Sequence, residues 1–256
     1  SGSYHVNITV SDSFDIESLK IEMEIIDSKD SDYDGNPDFS DSDDDNDSIM
    51  DENDFLIGNE KYLSTTIETP LLSILVNGSL NLSKFFNGTH IVEIRYNLSP
   101  AIEFNFSFDS FGVLDFGNLT LNMSTSGFGA ISLRGNLNLT RNLTKSFFLA
   151  KTNTTVNSVC VKDADADFSN ISPNCDFGQE FFVLCDNLSV GAYKCTDTGL
   201  MYKLEGLRHS AVREFCIDLD GDGYGLGCLL GGDCNDEDSS HNLDCSIPAP
   251  KASEGN

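Results

Sequence analysis

The chain has 256 residues, a hydrophobic content of 39% and a formal net charge of −27, from 42 acidic and 15 basic residues. The hydrophobic content is sufficient for a packed core, whereas the negative charge argues against nucleic acid and anionic membrane surfaces as partners, because both attract clustered Lys and Arg. No apolar run approaches the roughly 18 residues that span a bilayer. Because the chain begins at Ser1 and carries no signal-like segment, we expect a processed form.

The N-terminal segment, residues 1–26, contains two alternating runs. In the first, Tyr4, Val6, Ile8 and Val10 share one face of a predicted strand, and residues 19–25 alternate in the same way. The first strand lies near the start of the chain, where few constraints hold it to its own domain. We therefore interpret it as a strand donated to the sheet of a neighbouring copy. Pairing of residues 4–10 within their own domain is the alternative interpretation.

Residues 27–55 form an acidic segment with the spacing of two consecutive calcium loops. Between residues 27 and 54, twelve Asp and one Glu oppose a single Lys. Calcium loops of twelve residues place carboxylates at positions 1, 3 and 5, a backbone carbonyl at position 7, and further ligands at positions 9 and 12. Position 6 is Gly35 in the first loop and Ser48 in the second. The predicted calcium ligands are Asp30, Asp32, Asp34, Asn36, Asp38 and Asp41 in the first loop, and Asp43, Asp45, Asp47, Ile49, Asp51 and Asp54 in the second.

This acidic run resembles a thrombospondin type 3 repeat, the Asp-rich calcium module of extracellular proteins. The resemblance covers about 25 residues and implies bound calcium and an extracellular location. A solvated acidic linker is the alternative interpretation.

Residues 56–158 predict a β domain. Short alternating runs at 71–76, 91–96, 102–108 and 130–139 are separated by turn sequences such as Asn77-Gly78, and no helical period is evident. Strands at this spacing predict an all-β fold, an antiparallel β-sandwich or barrel.

The same region is rich in N-glycosylation sequons. Fourteen Asn in the chain occur in Asn-x-Ser/Thr, and in ten of these the middle residue is apolar. On a strand, the Asn and the hydroxyl residue then share the face opposite the apolar residue. Polar-out strands without glycans are the alternative, and Asn46 is expected to be unmodified because it lies between Asp45 and Asp47. The predicted acceptors are Asn7, Asn77, Asn81, Asn87, Asn97, Asn105, Asn118, Asn122, Asn138, Asn142, Asn153, Asn170 and Asn187.

Residues 159–213 predict a smaller, disulfide-stapled β domain. All eight cysteines lie in the last hundred residues, without the closely spaced pairs of a zinc site, so we expect disulfides in an oxidising compartment. Local pairing is favoured, although the spacing leaves the pairing open. Asp163, Asp165 and Asp167 are interpreted as a solvated turn rather than a cation site. The cysteines are Cys160, Cys175, Cys185, Cys195, Cys216, Cys228, Cys234 and Cys245.

Residues 214–256 contain a second acidic motif, with nine acids and no Lys or Arg between residues 214 and 244. Its Asp-Gly run begins like a calcium loop, but position 12 is Leu229. The stretch resembles cysteine-containing, Asp-Gly-rich metal-binding repeats of archaeal and bacterial surface proteins. Three to four calcium ions are expected in the whole chain. The predicted ligands here are Asp218, Asp220, Asp222 and the Tyr224 carbonyl, then Asp233, Asn235, Asp236, Glu237, Asp238 and Asp244.

These features together predict a structural rather than a catalytic protein. None of the four His belongs to a metalloprotease motif, and no nucleophile elbow or phosphate loop is present, so an enzyme is not expected. The combination resembles microbial, including archaeal, cell-surface subunits. The leading hypothesis is an extracellular, N-glycosylated, calcium-stabilised filament or sheath subunit whose partners are copies of itself. A monomeric calcium-dependent adhesin is the alternative, and a secreted hydrolase is a third, disfavoured one.

Overall fold

The computed structural model describes residues 29–218, 224–226 and 228, except 110, 126, 136, 138–143, 155, 209 and 210. For residues 2–11 and 16–25 it describes the backbone alone. The described chain is all-β, with 3₁₀ helices at Thr69–Leu71, Phe116–Asn118 and Phe168–Asn170. The strands are β1 (Gly2–Ser11), β2 (Ile16–Ile25), β3 (Leu56–Ile57), β4 (Ser64–Thr65), β5 (Leu72–Val76), β6 (Gly88–Tyr96), β7 (Ser99–Phe108), β8 (Leu114–Asp115), β9 (Thr120–Ser124), β10 (Ala130–Arg134), β11 (Lys145–Ala150), β12 (Ser158–Lys162), β13 (Glu180–Leu184), β14 (Asp186–Val190), β15 (Tyr193–Asp197), β16 (Met201–Leu207) and β17 (Ala211–Glu214).

Two large sheets form a sandwich. One has the strand order β13-β12-β17-β10-β9-β4, and the other has the order β14-β15-β16-β11-β7-β6-β5. Neighbouring strands are antiparallel in both sheets except for the two-residue parallel pair of β4 and β9. The prediction of an antiparallel all-β fold is therefore confirmed, and the open strand orders make it a sandwich rather than a barrel.

Alternation along each strand explains the core between the sheets. In β7 the side chains of Phe104, Phe106 and Phe108 are buried, whereas Asn105 between them is exposed. Successive residues of a strand point to opposite faces, so every second residue meets the other sheet. Residues of both sheets, among them Ile131 and Phe147, join one continuous apolar cluster.

The six-stranded sheet is covered on its outer face as well. Cys160, Ala211 and Phe215 pack with Ile171 and Cys175 in a second apolar cluster, separate from the main core. The disulfide Cys160–Cys175 fixes this covering segment to β12. Because both faces of the sheet are covered, β10 and β12 are buried at successive positions instead of alternating.

Disulfides join consecutive cysteines of the described chain. The pairs are Cys160–Cys175, Cys185–Cys195 and Cys216–Cys228. The expected local pairing is confirmed for these six cysteines. Cys234 and Cys245 lie outside the described residues.

The segments predicted as separate domains at 56–158 and 159–213 share both sheets. β17 lies between β10 and β12, and β16 pairs with β11. The predicted division at residue 158 is therefore wrong, because strands of the later segment complete the sheets begun by the earlier one.

The N-terminal strands form a hairpin with a sheet of its own. β1 pairs antiparallel with β2 along its whole length, with Tyr4 opposite Met23, Val6 opposite Ile21 and Ile8 opposite Leu19. Residues directly opposite each other share a face of an antiparallel pair. The register therefore places the apolar residues of both runs on one face of the hairpin.

Lys145 is a charged residue at a core-facing position of β11. It is 3% exposed and lies in the same alternation as the buried Phe147 and Leu149. Burial lowers the pKa of Lys145 from 10.5 to about 8, although the charges of Asp163 and Asp165 oppose the change. Compared with the unfolded chain, the folded state therefore disfavours the ammonium form of Lys145. Stability falls as the pH drops from 10.5 towards 8, and the full loss is present below about pH 8.

Replacing Lys145 by Met should stabilise the fold at neutral pH. The folded pKa of about 8 lies below the ordinary value of 10.5, so stability of the native protein should rise with pH between these values. The Lys145→Met variant should lack this rise and gain up to about 3 kcal/mol at pH 7, because each pH unit between the two pKa values corresponds to about 1.4 kcal/mol. Chemical denaturation from pH 7 to 10 measures both effects. Lys203→Met, on the solvent side of β16, is the control and should keep the pH dependence; an unchanged or lower stability of Lys145→Met would contradict the argument.

Candidate metal centre and glycan acceptors

The first acidic loop brings together the carboxylates predicted for positions 1, 3 and 5. One oxygen from each of Asp30, Asp32 and Asp34 lies within 4.8 Å of the others. Backbone N–H groups hold the loop around them, because Gly35 N donates to Asp30 Oδ2 (3.1 Å) and Asn36 N donates to Asp34 Oδ1 (2.7 Å). The second oxygen of Asp30, Oδ1, is buried without a hydrogen-bond partner in the described chain.

The second loop repeats this geometry thirteen residues later. Asp43, Asp45 and Asp47 also place carboxylate oxygens within 4.8 Å of one another. Ser48 N donates to Asp43 Oδ2 (3.0 Å), and Ile49 N donates to Asp47 Oδ1 (2.8 Å). The two loops therefore have the same internal hydrogen bonds at corresponding positions.

The two loops also have the same backbone conformation at the sharp bend. Position 6 is left-handed in both loops, with φ of 100° at Gly35 and 78° at Ser48. Position 4 is left-handed too, with φ of 63° at Tyr33 and 53° at Asn46. The replacement of Gly by Ser at position 6 thus leaves the conformation of the loop unchanged.

The predicted ligands at positions 9 and 12 instead accept backbone hydrogen bonds in this structure. At position 9, Asp38 accepts from Ser31 N (2.8 Å) and Asp51 from Asp44 N (2.9 Å). At position 12, Asp41 accepts from Asp43 N (3.1 Å), and Asp54 accepts from Leu56 N (2.9 Å). These hydrogen bonds also recur thirteen residues apart, so the acidic segment consists of two copies of one structural unit.

The acidic segment is seated on the sandwich through a few polar contacts. Asp45 Oδ2 accepts a hydrogen bond from Gly58 N (2.5 Å), and Asp54 is only 5% exposed. Lys29 Nζ lies 3.0 Å from Asp38 Oδ2 and 2.7 Å from Asp115 Oδ2. Asp115 in turn begins the 3₁₀ helix at 116–118 by accepting from Gly117 N. The start of the segment and its end are both tied to the sandwich.

Packing of the acidic loops against the sandwich removes water from carboxylates that lie close to one another. Burial raises the pKa of Asp54 to about 7, and the charges of Asp47, Asp45 and Asp43 add to the rise. Burial and the charge of Asp51 raise the pKa of Asp44 to about 6. Both shifts report that negative charge is unfavourable here, and a cation would relieve this.

The donor set of both loops suits calcium. Calcium takes six to eight oxygen ligands at roughly 2.3–2.6 Å, whereas the softer transition metals favour nitrogen and sulfur. Each triple offers carboxylate oxygens alone, and the buried, unpartnered Asp30 Oδ1 is an acceptor that a cation would satisfy. The residues present therefore fit the predicted ion.

Most of the C-terminal motif lies outside the described residues. Asp218 and Tyr224 are described, within a loop closed by Cys216–Cys228 and by the pairing of Ile217 with Leu226. Asp220, Asp222, Asp233, Asn235, Asp236, Glu237, Asp238 and Asp244 are outside the described part, so their ligand roles stay predictions.

The third Asp triple has structural partners in separate places. Asp163 accepts from Tyr193 Oη (3.0 Å), and Asp165 accepts from Gly135 N (3.1 Å). Asp167 accepts from Asn122 Nδ2 (2.7 Å) and Ser132 Oγ (3.0 Å). These carboxylates anchor the segment that covers the six-stranded sheet, a role that the sequence analysis missed because the partners are far away in sequence.

Most described sequon asparagines face solvent, as glycan acceptors must. Nine are exposed, namely Asn46, Asn77, Asn81, Asn87, Asn97, Asn105, Asn118, Asn170 and Asn187, and two are half-buried, namely Asn122 and Asn153. The strand geometry expected for them holds at Asn105, where Phe106 is buried. Others lie in turns, such as Asn77 and Asn97 with left-handed φ of 48°. Asn138 and Asn142 are outside the described residues, and only the backbone is described at Asn7.

Comparison of the chain with protein families, curated proteins and solved structures gave no match. The helices in the described part of the chain are three residues long, and none of them could cross a membrane.

Calcium should stabilise the protein through the two loops. At a calcium concentration a hundred times the dissociation constant, each bound ion adds about 2.7 kcal/mol to the stability of the folded state. Asp32→Asn removes the position 3 carboxylate of the first loop and should reduce this gain, whereas Asp186→Asn, at an exposed site on β14, is the matched control. Differential scanning calorimetry with calcium and with a chelator measures the effect. Identical melting temperatures in the two conditions would show that the loops do not bind calcium.

Proposed function

We propose that the protein is an extracellular, N-glycosylated structural subunit in which calcium stiffens the acidic segment and the N-terminal hairpin joins copies into a filament or sheath. Calcium would be held by the triples at Asp30, Asp32 and Asp34 and at Asp43, Asp45 and Asp47, with one or two further ions in the C-terminal motif. A bound ion supplies positive charge that allows the carboxylates to remain ionised at close range. Three disulfides are compatible with an oxidising, extracellular location.

The separate hairpin is the observation that carries the proposal of assembly. β1 and β2 hydrogen-bond to each other and form a sheet apart from the two sheets of the sandwich. Isolated two-stranded hairpins are marginal in water, and an apolar face must be covered to be stable. A second copy of the chain would cover that face, and a head-to-tail contact of this kind propagates without closing.

The hairpin changes the form that strand donation would take. Tyr4, Val6, Ile8 and Val10 stand in register with β2, so both strands would be donated together rather than the first alone. Burial of the four residues would contribute roughly 1.5–3 kcal/mol each before the ordering terms are subtracted. The acidic segment directly follows the hairpin, so calcium would limit its freedom relative to the sandwich.

A groove on the sandwich favours the second candidate, a monomeric adhesin or binding module. It encloses about 280 Å³ and is lined by apolar side chains that include Tyr96, Met123, Phe148 and Met201. An adjoining groove shares Tyr96 and Met123. Apolar concave sites of this size are typical of ligand pockets, so a small ligand or peptide is the occupant to test for.

Charges on the apolar face of the hairpin should prevent assembly. Val6→Asp combined with Ile21→Asp places two carboxylates directly opposite each other on that face, and like charges so placed are destabilising. Ser18→Asp is the matched control, because residue 18 pairs with Thr9 on the other face. Sedimentation and negative-stain imaging should show polymers for the native chain and the control, and monomers for the double variant. Polymers of the double variant would exclude the hairpin as the contact, and a monomeric native chain would favour the adhesin.

A further inference from the structure

Two sequons with the same sequence pattern have different surroundings in the fold. Asn105-Phe106-Ser107 lies on β7, and Asn122-Met123-Ser124 lies on β9. The side chain of Asn105 is exposed and makes no hydrogen bond within the described chain. Asn122 is half-buried, and its Nδ2 donates to Asp167 Oδ2 at 2.7 Å. The sequence alone gives no reason to separate the two.

The Asn122 amide belongs to a network that joins the six-stranded sheet to its cover. Asp167 also accepts from Ser132 Oγ (3.0 Å), which is fully buried on β10, and from Ser169 N (2.9 Å) in the 3₁₀ helix at 168–170. Although burial opposes it, hydrogen bonds from Asn122 and Ser169 lower the pKa of Asp167. The carboxylate is therefore ionised at neutral pH and holds the amide with a charge-assisted bond.

Three further sequons have an amide nitrogen engaged in the same way. Asn118 Nδ2 donates to Asp115 Oδ2 (2.6 Å), the oxygen that also contacts Lys29. Asn77 uses both ends of its amide, with Nδ2 2.5 Å from His90 Nδ1 and Oδ1 accepting from Ile91 N (3.0 Å). Asn46 Nδ2 donates to Asp32 Oδ2.

Six sequon asparagines have an amide nitrogen that donates no hydrogen bond within the described chain. Five of them lie outside β7, in turns, loops, the helix at 168–170 and the edge strand β14, and all six are exposed. They are Asn81, Asn87, Asn97, Asn105, Asn170 and Asn187.

N-glycosylation acts on the nitrogen that distinguishes these two groups. The bond between saccharide C1 and the oxygen of a lipid-phosphate-linked oligosaccharide breaks, and a C1–N bond to Nδ2 forms. Nδ2 gives up one of its two protons to solvent, and the lipid phosphate leaves with the electron pair of the broken bond. The new carbon stands about 1.5 Å from the nitrogen. At Asn122 an acceptor oxygen at 2.7 Å already holds one of the two Nδ2 protons, and the amide is half-buried. Its nitrogen is therefore less free to meet the saccharide carbon than the exposed nitrogen of Asn105, which makes no hydrogen bond in the described chain.

We propose that ten sequons of the described chain form two classes: an open class that carries glycans, namely Asn81, Asn87, Asn97, Asn105, Asn170 and Asn187, and an anchoring class that stays bare in the folded protein, namely Asn46, Asn77, Asn118 and Asn122. This rests on the proposed function, in which the protein is glycosylated. It differs from the sequence-based expectation at Asn77, Asn118 and Asn122.

Glycopeptide mass spectrometry of the full chain, isolated from its own host, measures the occupancy of each sequon. We expect at least tenfold lower occupancy at Asn122 than at Asn105. Equal occupancy at the two would overturn the two-class proposal and leave the glycoprotein proposal standing. Glycans at no sequon would overturn both.

Variants of the hydroxyl residues separate the classes without altering either amide. Ser107→Ala abolishes the Asn105 sequon and should lower the mass of the intact protein by one glycan. Ser124→Ala abolishes the Asn122 sequon and should leave the glycan mass unchanged; loss of a glycan would overturn the proposal.

The variants Asn122→Gln and Asn105→Gln test whether the Asn122 amide stabilises the fold. Asn122→Gln should leave the glycan mass unchanged and lower the melting temperature by roughly 3–8 °C, since a bond to an ionised acceptor is lost. Asn105→Gln should lose one glycan with a smaller change in melting temperature. A reversed order of the two melting temperatures would contradict the assignment of Asn122 to the anchoring class.

Discussion

The packing of the six-stranded sheet on the seven-stranded sheet is the interaction on which the rest of the molecule depends. Every second residue of β7 and β11 is buried against the other sheet, which leaves the intervening residues free to differ in polarity. Asn105 occupies such an outward position, and Lys145 is the exception at an inward one. The second cover on the six-stranded sheet removes this freedom, because there the outward positions are buried too. Whether an outward-facing residue is accessible to solvent therefore depends on the sheet to which it belongs.

Negative charge imposes the second constraint. The acidic segment contacts the sandwich through Asp45, Asp54 and the pair of Lys29 with Asp115. At Asp45 and Asp54, burial removes water from carboxylates that already repel one another. Lys29 brings one positive charge to this junction, whereas burial raises the pKa of Asp54 to about 7. The calcium ions proposed for the loops would each supply a counter-charge of higher valence than a side chain does.

The sequence patterns predicted structure within short segments, but they could not predict contacts between residues that are far apart in the chain. The alternation at residues 102–108 predicted a strand now found as part of β7, and the thirteen-residue offset of the Asp loops recurs in their hydrogen bonds. The insertion of β17 between β10 and β12 was not predictable, because the pairing depends on residues about 80 positions apart. The difference between the surroundings of Asn105 and Asn122 could not be predicted for the same reason, because Asp167 lies 45 residues after Asn122. Solvation of a side chain depends on such contacts, which periodicity does not encode.

The position of β17 also sets the order in which the sandwich can be completed. Strands β10 and β12 flank β17, so the middle of the six-stranded sheet stays open until the chain has been synthesised through Glu214. Contacts of such long sequence separation slow folding, because the loop-closure entropy must be overcome before the strands pair. Until that point β10 and β12 present unpaired edges, which are the part of a nascent β-protein most prone to aggregation. A chain truncated before residue 211 would lack the central strand rather than a peripheral one, and its two halves of the sheet would have no direct hydrogen-bonded connection.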